Sequence, residues 1–195
     1  MKSMVFLVGS ILLGLWVGAC ASTSAPPAPG HTRGAVPDLR GHRVLVLPVQ
    51  LREGVSASVT IDEEIAYALP ARSEKVAWIF PPQVEQILER SPGVAASLHD
   101  LPVGIFLQAE VNRIGDPLYG QIRRLTTLAG ADIALLPVAL EYADGAFNLT
   151  AVLLRPVTGH VLWFSIIEGE PGPAQGPQAL ASVSGALARA LLPLD

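Results

Sequence analysis

The chain has one cysteine, Cys20, in 195 residues, so no intrachain disulfide can form and any folded domain must be held by packing alone. Charge is scarce too. Only 15% of the residues are charged and the net charge is -4 with a pI near 5.5, which lacks the basic footprint that nucleic acid requires. The four histidines, His31, His42, His99 and His160, are scattered, with none at the i, i+3 or i, i+4 spacing of a helix-borne metal site. No Walker-type loop, dinucleotide fingerprint, Gly-x-Ser-x-Gly elbow or His-Glu-x-x-His helix occurs. No metal, no cofactor and no enzyme class is therefore expected. His99-Asp100 would be half of a triad only with a serine brought in by folding, and a surface turn explains the pair more simply. Long apolar runs are missing beyond the N-terminus, where Arg155, Pro156 and His160 interrupt the best candidate for a membrane span.

What the sequence does have is an apolar half, 50% of its residues, and part of that excess is local. Met4 to Ala19 is an almost unbroken apolar run behind Lys2, too short for a span and suited to the h-region of a signal peptide. It ends in Val17-Gly18-Ala19-Cys20, followed by Ala21-Ser22-Thr23-Ser24. This junction resembles the cleavage box of bacterial lipoproteins, with a branched apolar residue, two small residues and an obligatory cysteine; leucine is commoner than Val17 at the first position. The resemblance implies that Cys20 becomes the mature N-terminus and carries acyl chains. One chain, at about 0.8 kcal/mol per buried CH₂, binds a bilayer marginally, and two or three anchor it without a spanning helix. The alternatives are a secretory signal with an incidental cysteine or a buried thiol. Ala21 is not the aspartate that signals inner-membrane retention in enterobacterial lipoproteins, so the resemblance points to the outer membrane, facing the periplasm. From Ala21 to about Arg40 the chain turns to Ala, Ser, Thr, Pro, Gly and Arg, a composition that cannot bury enough apolar surface to offset its ordering entropy. The expected organisation is a signal peptide over 1–19, the lipidated cysteine and a flexible tether over 20–40, and a periplasmic domain over 41–195.

Within that domain Arg43 to Val49 is a continuous apolar run, a strand buried on both faces. Thr60 with Glu63 has the form of a capping box, and Asp62, Glu63 and Glu64 fall in the first turn of the helix that follows. A short strand over 76–80 leads through Pro81-Pro82 into a second helix with Val84, Ile87 and Leu88 on one stripe. Residues 94–115 are hard to read, with Ile105-Phe106-Leu107 compatible with strand or helix. Asp116-Pro117 opens a helix ended by Gly130. Three apolar strands follow, turned at Ala143-Asp144-Gly145 and Thr158-Gly159, and a last helix runs from Gln178 to Leu192 with Leu180, Val183, Leu187 and Leu191 inward. The expected class is α+β, a single mixed sheet with a C-terminal antiparallel three-strand meander and helices mainly on one face.

A strand ending in Leu47-Pro48, the helix-to-strand junction Gly130-Ala131-Asp132-Ile133, and Val157-Thr158-Gly159-His160-Val161-Leu162-Trp163 together resemble an envelope superfamily. It contains the N-terminal domain of TolB, the curli-secretion lipoprotein and the lipoprotein activators of penicillin-binding proteins. The chain has no spare alternating segments for the transmembrane hairpins of the curli channel. The resemblance implies a non-enzymatic, membrane-anchored envelope lipoprotein whose domain binds or positions another envelope component, with a protein partner. An oligomeric secretion or assembly subunit and, less favoured, a cell-wall-active enzyme are the alternatives. Binding is expected on exposed loops or a sheet edge, and the Gln50-to-Val59 stretch with Arg52 and Glu53 is the candidate partner-binding loop. Arg123-Arg124 sits on the exposed side of its helix, where it is either solvated or meets an acidic partner. Asn148-Leu149-Thr150 matches a glycosylation sequon but reads as strand patterning.

Overall fold

In the computed structural model, which describes residues 30–53, 55, 60–174 and 176–193, the elements follow in this order. They are β1 (Thr32–Gly34), β2 (Arg43–Val46), β3 (Leu51–Glu53), α1 (Ile61–Arg72), β4 (Ala77–Ile79), α2 (Pro81–Glu89), α3 (Ile105–Gln108), α4 (Leu118–Ala129), β5 (Ile133–Ala143), β6 (Ala146–Arg155), β7 (His160–Glu168) and α5 (Pro177–Leu191). The three long strands of the C-terminal half pair as an antiparallel meander, β5 with β6 and β6 with β7. One mixed sheet assembles around it in the order β1-β7-β6-β5-β2-β4, with β3 also on β5. Strands β2 and β3 run parallel to β5, β4 parallel to β2, and β1 antiparallel to β7. The class is α+β, with one mixed sheet.

The helices divide between both faces of the sheet, and this corrects the expectation that they lie mainly on one. Val44, Val46, Leu135, Ala151 and Leu153 share a core with α1 and α5. Leu45, Leu47, Ala134, Leu136, Val152 and Leu154 share the other with α2, α3 and α4. The reason lies in the strands: β2, β5 and β6 are apolar at successive positions, so each needs cover on both sides. Burying one such leucine contributes about 1.5–3 kcal/mol, and helices confined to one face would leave half of them in water.

A second correction concerns the segment before Gly41. Residues 32–34, expected within the tether, form β1 on the outer edge of β7, with Thr32 opposite Ser165, Arg33 opposite Phe164 and Gly34 opposite Trp163. The Thr32 and Ser165 hydroxyls lie 2.7 Å apart, and Leu39 is 1% exposed. Gly34 is required here: its φ is 78°, and a Cβ would collide with the Leu162 carbonyl oxygen. Arg33 donates to the Val111 carbonyl and pairs with Glu110, tying the edge strand to the 109–115 segment. A few residues on, hydrogen bonds from the Arg40 side chain and backbone hold the exposed Asp38 carboxyl below its ordinary pKa.

Two local expectations also change, and one open alternative is resolved. Thr60 makes no side-chain cap; its carbonyl accepts the Glu63 and Glu64 N–H groups at 3.1 and 3.2 Å. Helix α4 starts at Leu118 with Pro117 at its cap position, and Asp116 Oδ1 accepts from Gly120 N–H at 3.0 Å. Ile105-Phe106-Leu107 is helix, and Phe106 is buried beneath it. The stop at Gly130 is as expected, with φ 62° in the left-handed region that lets the chain leave α4. Asn148 and Thr150 are both buried in β6, which accords with strand patterning.

Candidate functional site

Proline divides the chain that runs beside β5 into two pieces, β2 and β3, and the candidate site is the second piece. β2 ends before Pro48, which cannot donate to a ladder, yet the chain stays beside β5: Leu47 N–H bonds to Leu135 O at 2.9 Å and Gln50 N–H to Pro137 O at 3.2 Å. On β5 the register shifts between Pro137 and Ala139. After that shift β3 pairs with it, Leu51 with Ala139, Arg52 with Leu140 and Glu53 with Glu141. Arg52 and Glu53 therefore lie in a strand, not in a loop dispensable for packing. The short match between β3 and β5 is why no periodicity marked it in the sequence.

The corner between β2 and β3 is fixed by two side chains. Gln50 donates through Nε2 to Pro48 O at 2.7 Å and to Leu98 O at 3.0 Å, while its Oε1 accepts from Leu101 N–H at 3.0 Å. Asp62, on the first turn of α1, accepts from Val49 N–H at 2.8 Å and from Arg52 Nη2 at 2.7 Å. Its ion pair with Arg52 is 30% exposed on each side, so Arg52 serves as a strut between β3 and α1 rather than a solvated cation. Of the three carboxylates expected to face the helix dipole, Asp62 has this additional bond to the preceding corner. Nothing local in the sequence marks a partnership ten residues apart.

This geometry separates the two candidate residues by role. Replacing Asp62 with alanine leaves the Val49 N–H and the Arg52 guanidinium without that acceptor, a loss of about 1–3 kcal/mol. Glu53→Gln should shift stability by less than about 0.5 kcal/mol, as exposed substitutions do. Urea denaturation of the two variants against the parent checks both, and equal midpoints for Asp62→Ala and the parent would refute the strut.

β3 pairs with no strand but β5 among the described residues. That makes it a short sheet edge of the kind to which an extended chain can add by backbone hydrogen bonding. The other expected positions do not join it. Val17, Gly18, Ala19 and Cys20 lie outside the described residues. Arg123 and Arg124 are exposed on α4, lining a hollow of about 810 Å³ with Gly93 to Ala95, Asp116 and Tyr119. His42 lies 3.8 Å from Asp132 and His99 3.7 Å from Glu85, in separate places. No group of three or more His, Cys, Asp or Glu is arranged for a metal among the described residues. No helix among them is long and apolar enough to cross a membrane.

No family model matches the chain, and no curated protein matches it. Solved structures do. The C-terminal domain of LpoB from Salmonella enterica is 17% identical with a TM-score of 0.48, the alignment covering 69% of this chain and 86% of that one. Lipoprotein GNA1162 from Neisseria meningitidis is 18% identical with a TM-score of 0.43, over 71% and 87% of the two chains. TolB from Acinetobacter baumannii is 15% identical with a TM-score of 0.39, over 83% of this chain and 31% of that one. TolB is also one of the proteins that the sequence resembles. Each is a protein to which this chain is similar, and at these TM-scores none lends it a function.

Proposed function

We propose that this chain is a lipid-anchored protein of the bacterial cell envelope, acylated at Cys20, whose folded domain works by binding or positioning another envelope component and not by catalysis. The observation that carries the reading is the N-terminal sequence, in which the only cysteine of the chain closes an h-region as Val17-Gly18-Ala19-Cys20. The absence of aspartate after Cys20 favours the outer membrane, with the domain facing the periplasm. The short edge of β3, with Glu53 exposed on it, is the proposed binding surface for a protein partner.

Because the sheet begins at Thr32, the proposed tether shrinks to residues 21–29. Nine residues reach about 17 Å as a flexible coil or about 28 Å as polyproline helix. A tether over 20–40 would reach about 25 Å or about 60 Å on the same rises. The domain would stand close to the membrane, and its partner must come to the membrane surface or be embedded in it.

The test is made in cells. Cys20→Ser should leave an uncleaved, unacylated precursor, whereas the parent should yield a mature chain starting at Cys20 and heavier than its sequence by its acyl groups. Mass spectrometry of the purified proteins reads both. A parent protein that matures elsewhere without lipid removes the anchor. Digestion of purified peptidoglycan by the full chain would replace binding with the cell-wall enzyme alternative.

A further inference from the structure

The described chain enters the fold level with the proposed binding edge. Gly30 N–H bonds to Ile166 O and Ile166 N–H to His31 O, both at 2.9 Å. From Ile166 the register crosses the sheet to Thr150, from Thr150 to Ala139, and from Ala139 to Leu51. Gly30 and β3 therefore lie at the same end of the sheet, on opposite flanks of β7, β6 and β5. From there β1 runs along β7 as far as Gly34, opposite Trp163. The chain goes on to Leu39 at the other end, where Gly41 N–H bonds to Lys75 O at 2.9 Å and β2 begins. Along β5 the two levels are Ile133, opposite Val44, and Ala139, opposite Leu51, about 20 Å apart at the usual strand rise. Whether the chain is held along β1 thus decides from which end the domain hangs.

The hold is local and light. β1 pairs with β7 through three residues, and none of the residues from His31 to Ala35 is buried. Beyond the backbone ladder, the fasteners are the Thr32–Ser165 hydroxyl contact and the bonds of Arg33 to Val111 O and to Glu110. The Arg33 guanidinium also lies 5.9 Å from the centre of the Phe164 ring, and the His31 ring meets that ring edge-on at 6.0 Å. Leu39 is the first buried residue among those described. Segments with few buried apolar contacts open at a lower free energy than the whole fold, so β1 can leave the sheet while Leu39 stays packed.

We propose that β1 is a releasable clasp that sets the orientation of the domain at the membrane. Docked, it hangs the domain from the end that carries β3 and turns that edge toward the bilayer, with Gly30 within about 28 Å of the lipid anchor. Released, it leaves the domain hanging from Leu39 at the opposite end. Residues 21–38 then reach about 56 Å when extended, which carries β3 away from the membrane. The clasp rests on the anchor at Cys20 and the β3 edge proposed above, and adds a control over what that edge can meet. With β1 docked it faces a component at the bilayer surface, and with β1 released one further out.

The experiment places the acylated full chain in vesicles of phosphatidylethanolamine and phosphatidylglycerol that carry a quencher on the lipid headgroups. A fluorophore is attached at Glu53→Cys or, in a second chain, at Lys75→Cys, and flotation of the vesicles reports the anchor separately. With β1 intact, the probe at position 53 should be quenched more than the probe at position 75. Two substitutions release β1. Arg33→Glu loses the Val111 carbonyl and sets a second carboxylate beside Glu110, and Gly34→Val would drive a side chain into the Leu162 carbonyl oxygen at a φ of 78°. Each should abolish or reverse the difference in quenching and keep a cooperative thermal transition. Equal quenching at the two positions of a floating chain with β1 intact, or a difference that persists in both variants, overturns the clasp and leaves the anchor standing. Loss of the cooperative transition in both variants overturns it as well, since β1 would then be inseparable from the fold. A chain that does not float overturns the anchor, and the clasp with it.

Discussion

Trp163→Ala should remove about 3–5 kcal/mol of stability, the usual cost of truncating a buried tryptophan. Trp163 is 3% exposed, and its core contains Leu180, Val183 and Leu187 of α5 and Leu153 of β6. Gly34 lies opposite it on β1 and Leu153 on β6, so the ring belongs to the region where the N-terminal edge, the meander and the last helix meet. Neighbours anchored by three elements cannot collapse into the space left by the indole. Against a domain stability of about 5–15 kcal/mol, that loss unfolds a large share of molecules near body temperature in the less stable half of the range. Trp163→Phe keeps an aromatic filler and should fall well short of the alanine variant. Guanidinium denaturation followed by circular dichroism decides it. An unchanged midpoint for Trp163→Ala would mean that the packing of β7 against α5 is misassigned.

Removing the first forty residues should be almost as damaging. A chain beginning at Gly41 would be a self-sufficient domain if the tether reached Arg40, but it loses β1, the Thr32–Ser165 hydroxyl contact and the buried Leu39. Deleting a buried leucine side chain costs about 2–5 kcal/mol, and a lost hydrogen bond about 1 kcal/mol more. The exposed edge of β7 would also be left as a template for other chains. We expect the chain starting at Gly41 to melt lower than one starting at Gly30 and to associate with concentration. Calorimetry and light scattering on the two check this, and identical cooperative transitions would return residues 30–40 to the tether.

The parts of the fold legible in the sequence are those governed by local rules. The meander was readable because apolar residues run through β5 to β7 and because Asp144-Gly145 and Thr158-Gly159 supply positive φ at the turns, 52° at Asp144, 84° at Gly145 and 72° at Gly159. Helix α4 was readable from its buried stripe of Leu118, Ile122, Leu125 and Ala129 and its glycine stop. What escaped depends on distant pairing. Thr32-Arg33-Gly34 has no strand signal of its own, and it becomes a strand because β7 offers an edge. Leu51-Arg52-Glu53 lies too soon after Pro48 to register as a second strand, and it becomes one because β5 continues past Pro137 and offers Ala139 to Glu141 as partners. The two-sided cover of the sheet has a local trace in the unbroken apolar run from Arg43 to Val49, but which helix covers which face is decided by contacts distant in sequence. At the candidate site, Arg52 and Glu53 stand out as charges in a stretch without periodicity, whereas the bonds of Gln50 to Leu98 and of Asp62 to Val49 and Arg52 join residues distant in sequence and leave no local sign.

The proposal that the domain acts by binding along β3 is tested most directly by placing a photo-crosslinking amino acid at position 53 of the full-length, membrane-anchored chain in cells. A second chain carrying it at Tyr67, which is 77% exposed on α1, serves as the comparison. Position 53 should yield one dominant adduct with another envelope protein, absent at position 67 and lost when the lipid anchor is removed by Cys20→Ser. No adduct at position 53, or the same set of adducts at both positions, would contradict a binding surface on this edge of the sheet.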